Sequence, residues 1–229
     1  MEEIKNMKNS KKSKPVKSSE IDPKEKILDA AVTIFSQNGF EGARTRDIAN
    51  LAQINISTLH YHFKSKDNIY ASVIQEINSQ CNKYMMPTMI AQKEIITNSK
   101  NKKEIIEAVK VMAITFIETI ISPENKRYSK IIAFEQIEQS KHFKTLFENV
   151  MKRVCEPFLL AVGKITDKKT TAIEVILLTH ALHGILTSFQ HSKSSLLYLS
   201  GWSSYGDKNI KHIKKHILRT IDHLFEPYF

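Results

Sequence analysis

Apolar residues recur every three or four positions through most of this chain, and no stretch alternates with period two. That rhythm predicts helices and no sheet. The first helix is expected over 23–38, with Ile27, Leu28, Ala31, Ile34 and Phe35 on one face. Asp22 and Pro23 supply a cap and a first-turn proline, Glu25 is placed to close a capping box, and Asn38-Gly39 supplies a stop. Two short helices follow. Thr45 is placed to cap one whose inward residues are Ile48, Ala49 and Ala52, and Asn55 to cap another through His62 with Leu59 and Phe63 inward. Ser65 heads a fourth, in which Ile69, Val73, Ile74, Ile77 and Cys81 share a face. Two short helices joined by a tight turn and braced on both sides form a helix-turn-helix pattern.

Beyond Pro87 the helical rhythm continues. Ile105, Val109, Met112, Phe116 and Ile120 make one stripe, and Ile131, Phe134 and Ile137 another. A third runs through Phe143, Leu146, Phe147, Val150, Val154 and Phe158. Residues 170–190 are apolar nearly all round, as in a helix buried on more than one side. Ile210, Ile213, Ile217, Ile221 and Leu224 end the chain as an amphipathic helix with Lys211, Lys214, Lys215 and Arg219 on its wet side. The expected fold class is all-α.

Composition narrows the choice. With 229 residues and 41% hydrophobic content the chain is long and apolar enough for a packed core, and six Gly and six Pro exclude a linker or collagen-like chain. Two cysteines, Cys81 and Cys155, do not make a disulfide scaffold and suit a reducing compartment. The most apolar stretch, 172–189, is interrupted by Glu174, His180 and His183 and is too short for a membrane span. The lysine-rich start has no apolar segment after it, so a cytoplasmic protein without a secretory signal is expected. The net charge of +10 suggests a polyanionic partner, but its placement does not single out the helix-turn-helix. Residues 1–19 hold six lysines against Glu2 and Glu3, whereas residues 20–67 hold six Lys/Arg against seven Asp/Glu. The tail reads as a disordered basic arm, either simply solvated or tracking phosphates.

The run Ile27-Leu28-Asp29-Ala30-Ala31, Phe35, Asn38-Gly39-Phe40, Thr45-Arg46-Asp47-Ile48-Ala49 and Ser57-Thr58-Leu59-His60-Tyr61-His62-Phe63-Lys64-Ser65-Lys66-Asp67 closely resembles the N-terminal domain of the TetR family of bacterial regulators. The resemblance covers about residues 22–82. It implies a division into a basic arm (1–20), a helix-turn-helix DNA-binding domain (21–82, with the motif proper at 44–63) and a helical ligand-binding and dimerisation domain (83–229). It further implies a repressor that binds a palindromic operator on double-stranded DNA as a homodimer and is released by a small-molecule effector. By motif position, Thr45, Arg46, Thr58, Tyr61, His62 and Lys66 resemble the family's DNA-backbone contacts, and Ser57 and His60 its base-reading residues. The segment from His180-Ala181-Leu182-His183-Gly184 to Trp202 is similar to one branch of the family's C-terminal domains.

The residues themselves support part of this. A short capped third helix can present its first turn to a major groove about 12 Å wide. Leu59 and Phe63 would anchor it, leaving Ile56, Ser57, His60 and Tyr61 outward, with Asn55 at its head. Ile56 suits a thymine methyl, or is an ordinary exposed apolar residue. Thr45 and Arg46 begin the second helix, where free amides and the dipole favour a phosphate. Of Lys64 and Lys66, Lys66 is the expected contact. The sequence also departs from the family pattern. Gln53 stands in the turn where the family usually has Gly, which would store about 1 kcal/mol if that residue has positive φ. Asn55 replaces the usual Ser cap, and His60 the commoner Tyr.

Other chemistry is weaker. No Gly-rich phosphate loop, nucleophile elbow or HExxH helix is present, so no enzyme, catalytic residue or cofactor is expected. His180 with His183, and His212 with His216, have metal-ligand spacing but no carboxylate or cysteine beside them, and no metal is assigned. Glu135 and Glu138 read as a solvated face. Cys81 falls in an apolar stripe, where a thiol is inert. A protein-interaction module or a redox-sensing regulator without an inducer are the alternatives. For the effector, Met112, Phe116, Phe134 and Phe158 are expected to line a pocket, although each also suits an ordinary core. For the dimer, segments 170–190 and 208–226 are expected to pair about a twofold axis through Ala181, Gly184, Ile185, Ile217 and Ile221.

Overall fold

The computed structural model describes residues 22–228, and the arm at 1–20 lies outside them. Among the described residues every regular element is helical. Four helices form the N-terminal head: α1 (Pro23–Gly42), α2 (Thr45–Leu51), α3 (Ile56–His62) and α4 (Lys66–Tyr84). Asp22 accepts the Lys24 amide at 3.0 Å and starts α1. Gly39 then takes φ 65°, so the helix breaks where expected before one further turn reaches Gly42. Asn55 and Ser65 cap α3 and α4, accepting the amides of Thr58 at 2.7 Å and Asn68 at 3.2 Å. Thr45 does not cap. It is the first residue of α2, and Arg44 precedes it without a side-chain cap. The inward residues Ile27, Phe35, Ile48, Leu59 and Ile69 are each fully buried in one core. Each such side chain contributes about 1.5–3 kcal/mol.

Eight further helices build the body: α5 (Met86–Asn98), α6 (Lys102–Ile121), α7 (Lys126–Glu138), α8 (Phe143–Leu146), α9 (Lys152–Thr166), α10 (Ile173–His191), α11 (Lys193–Ser200) and α12 (Asp207–Phe225). The stripe expected over 143–158 is not one helix. A π-helical turn at Phe147–Met151 joins α8 to α9, and Pro157 lies inside α9. The reason lies in the spacing: Leu146, Val150, Val154 and Phe158, all buried, are four apart, and a turn wider than α keeps such a row facing one way.

Two helices depart from their expected packing. On α7, Ile137 is 82% exposed while Glu135 is buried, the reverse of the sequence reading. On α12, Ile217 and Ile221 are buried inside the protomer, where the helix packs on α6. They are core residues rather than members of a dimer surface, because the stripe they share with Ile213 and Phe225 is fully used within one chain. Conversely α10 buries only Val175, Thr179, Leu182 and Leu186, and leaves Ile173, Ile176 and Leu177 at 61%, 44% and 59% exposure.

Head and body are joined chiefly where α7 lies along α1. Arg127 donates to Thr33 Oγ1 and Asp29 Oδ1, both at 2.7 Å. Tyr70 and Ser140 donate their hydroxyls to the buried Glu135 carboxylate at 2.6 and 2.7 Å. Burial, and then the neighbouring carboxylate, push the Tyr70 hydroxyl pKa well above its ordinary value. Asp67 receives Lys141 at 2.7 Å and His142 at 2.8 Å, and these partners hold its carboxyl below the usual range. Glu135 is therefore a buried joint residue, not part of a solvated face. Its partner Tyr70 is 65 positions away, beyond any helical-spacing argument. No helix among the described residues is long and apolar enough to cross a membrane.

Candidate nucleic-acid interface

α3 has one inward anchor and a free outward side. Leu59 is fully buried and Phe63, which follows the helix, is 4% exposed. Asn55, Ile56, Ser57, His60 and Tyr61 are all exposed, Tyr61 at 85% and Ile56 at 37%. A helix that needs only Leu59 to hold it leaves its remaining side chains for a groove. Tyr61 and His62 stand edge-to-face with ring centroids 5.2 Å apart, so the half-buried His62 braces the tyrosine. The turn before α3 has Gln53 at φ 55°, the left-handed conformation in which an L residue is strained.

Some expected backbone contacts have other partners here. Thr58 donates its hydroxyl to Asn55 Oδ1 at 2.9 Å, reinforcing the cap. Lys66 donates to the Glu41 and Ala43 carbonyls at 3.3 and 3.1 Å, and its ammonium lies 4.4 Å from the Phe40 ring centroid. It ties the end of α1 to the start of α4, two elements that spacing along one helix does not connect. Arg46 is exposed and Thr45 half-buried at the start of α2, whose first amides have no intrahelical acceptor. Arg44 is exposed beside them. Helical spacing does not single it out, although an arginine next to two candidate contacts is itself a signal.

The residues expected to line an effector pocket do not gather as a group. Met112 and Phe158 are fully buried, Phe116 is 9% exposed, and Phe116 and Phe158 both pack on His183. Phe134 lies instead at the head–body joint, close enough that a Cβ on Gly39 would come within 3.3 Å of its ring. Two open clefts lie elsewhere: one of about 460 Å³ bordered by Tyr84, Thr115, Glu118 and Asn125, the other of about 440 Å³ between Lys103 and His223. Of the expected dimer residues, Ala181 and Gly184 are exposed and Ile185 half-buried on α10. Burial raises both thiols above their ordinary pKa, Cys155 to about 11, which disfavours the reactive thiolate. No cluster of three metal-ligating side chains occurs among the described residues.

Known proteins are similar in both parts. The sequence model of the tetR family of bacterial regulatory proteins matches residues 27–73. That of the C-terminal domain of the HTH-type transcriptional dual regulator CecR matches residues 105–226, just over half of the chain. CecR of Shigella flexneri is 24% identical over 200 residues, covering 87% of this chain and 89% of the relative. IcaR of Staphylococcus aureus, the negative transcriptional regulator of the biofilm operon icaADBC, is 42% identical over 52 residues, or 23% of this chain and 28% of the relative. A TetR-like transcriptional regulator from Rhodococcus sp. RHA1 shares the fold with a TM-score of 0.56 at 16% identity, covering 89% of this chain and 93% of that one. A transcriptional regulator from Aquifex aeolicus does so with a TM-score of 0.52 at 17% identity, covering 88% and 99%. With its helix-turn-helix head and matching helical body, this chain belongs to the TetR family of DNA-binding bacterial transcriptional regulators.

Proposed function

We propose that this regulator is a repressor that binds a palindromic operator as a homodimer and leaves it when a small molecule enters the helical body. The observation that carries the DNA-reading part is α3: Ile56, Ser57, His60 and Tyr61 lie exposed on a helix anchored by the fully buried Leu59. In this reading Ser57 and His60 read bases, Ile56 meets a thymine methyl, and Thr45, Arg46, Tyr61 and His62 hold the backbone, with Arg44 beside them. Asn55, Thr58 and Lys66 set the pose of the helix from within the head. The repressor assignment follows IcaR, a negative regulator that is similar over the head. An operator footprint tests it: protection should cover two half-sites about one helical turn apart, and Tyr61→Ala should remove it.

The dimer reading is carried by α10. Ile173, Ile176 and Leu177 form an outward apolar face that Ala181 and Gly184 continue, and a Cβ built on Gly184 would meet nothing within 4 Å beyond its own stretch of helix. A second copy packed there about a twofold axis buries this face, and isologous pairing is the commonest arrangement. The effector acts only through its different affinity for the DNA-bound and free forms, so effector and operator weaken each other reciprocally.

A further inference from the structure

The core between α6, α9 and α10 contains polar groups that the fold itself does not use. Six helical threonines here return their hydroxyl to a carbonyl one turn back: Thr33, Thr97, Thr119, Thr166, Thr187 and Thr220. Thr179 does not. It is 4% exposed, and its Oγ1 is one of two buried side-chain oxygens without a partner among the described residues. One turn on, His183 Nδ1 lies 3.0 Å from the Thr179 carbonyl, which can only accept, so the ring proton sits on Nδ1. The Nε2 lone pair meets only the weak donor Cys155 Sγ, at 3.8 Å, among the hydrogen bonds of the described residues. Phe116 and Phe158 stand edge-on to the imidazole, with centroids 5.7 and 4.9 Å away.

An unpartnered donor and an under-used acceptor inside aromatic walls are costly to keep, because a buried polar group that makes no hydrogen bond has lost its hydration without replacement. We infer that Thr179 and His183 form the polar end of the effector site and receive the hydroxyl of an uncharged phenol or alcohol. This rests on the reading that the body binds an effector. A hydroxyl has the matching inventory: its O–H donates to His183 Nε2, its oxygen accepts from Thr179 Oγ1, and its apolar body lies against Phe116 and Phe158. A carboxylate or ammonium head does not fit, since the cluster holds no opposite charge. Burial also keeps His183 below its ordinary pKa and Cys155 above it, so both are neutral.

The wall that yields is α9. Cys155 lies between the π turn at Phe147–Met151 and Pro157, which has no amide to give the helix. With regular hydrogen bonding broken on both sides, this stretch of α9 is less tied to α-helical geometry than the rest of the helix.

The test is isothermal titration of the full-length protein with 4-propylphenol and propylbenzene, which differ by the hydroxyl alone. The phenol should bind about tenfold tighter, and 4-propylbenzoate weaker than the phenol. Thr179→Val should reduce the phenol's advantage to about twofold while hydrocarbon affinity stays unchanged, and Thr179→Ser should restore it. Because the deleted hydroxyl has no partner, Thr179→Val should melt no lower than the parent. Equal affinity for phenol and hydrocarbon in the parent, or an undiminished advantage in Thr179→Val, overturns the assignment. Release of promoter DNA by compounds indifferent to Thr179→Val removes this subsite and leaves the effector reading standing. Failure of every compound in a broad panel to release DNA removes the effector reading itself.

Discussion

α10 and α12 both carry an apolar row near the end of the chain, yet they are used in opposite ways. α12 turns Ile213, Ile217, Ile221 and Phe225 onto the body and leaves Lys211, Lys215 and Arg219 to solvent. α10 buries four residues on one line and keeps Ile173, Ile176 and Leu177 outside. The difference follows from width. One intramolecular neighbour covers a stripe, and α12 has only a stripe; α10 is apolar on two sides, and the second side is surplus to the protomer. Amphipathic helices complete a fold, while helices apolar all round have a face left for a partner.

Matched charge insertions give the largest effect and test this directly. Ile217→Glu places a carboxylate at a fully buried position with no cation to meet it, which should cost about 4 kcal/mol or more and leave little folded protein by circular dichroism. Leu177→Glu lands on a side chain 59% exposed, and should leave the helical signal intact while sedimentation shows a monomer. A Leu177→Glu protein that still sediments as a dimer moves the interface off α10.

The same contrast explains what could be read from sequence. The head was legible almost residue by residue, because caps, stops and inward positions are set by neighbours within four places: Asn55, Ser65, Gly39, Leu59 and Phe63 all do what local spacing implies. The body was legible only as helices. Whether Ile217 faces core or partner depends on α6, about a hundred residues earlier in the chain. Glu135 was missed for the same reason, since an i, i+3 carboxylate pattern carries no trace of Tyr70. Lys66, expected from sequence to contact the DNA backbone, also binds carbonyls that lie across a loop and so outside any local spacing.

Two tyrosines of the head extend the comparison at smaller amplitude. Tyr61 is 85% exposed, so Tyr61→Ala should leave the melting temperature unchanged and cost about 1–3 kcal/mol in specific DNA binding. Tyr70 is 1% exposed and donates to Glu135. Tyr70→Phe keeps the ring and deletes that bond, leaving a buried carboxylate with Ser140 as its remaining donor, which should cost about 1–3 kcal/mol of stability. Tyr61→Phe, the same chemical change on the outward side, should cost no measurable stability. Equal losses from the two Phe variants, measured by urea denaturation, would break the division between inward and outward residues.

The smallest effect concerns the backbone. Gln53 is exposed and at φ 55°, so its conformation is imposed by α2 and α3 being anchored on either side through Ile48 and Leu59. Glycine takes that conformation without the Cβ clash, at the expense of a more flexible unfolded chain. The first effect is the larger, about 1 kcal/mol, so Gln53→Gly should raise the urea midpoint modestly without changing the slope. Gln53→Ala retains the clash and should not raise it. DNA affinity separates two origins of the strain. If the buried anchors alone hold α3 in position, Gln53→Gly should bind operator within about twofold of the parent, since the pose of Ile56, Ser57, His60 and Tyr61 does not depend on residue 53. A substantial loss of affinity in the more stable variant would mean that the strained turn itself orients the recognition helix.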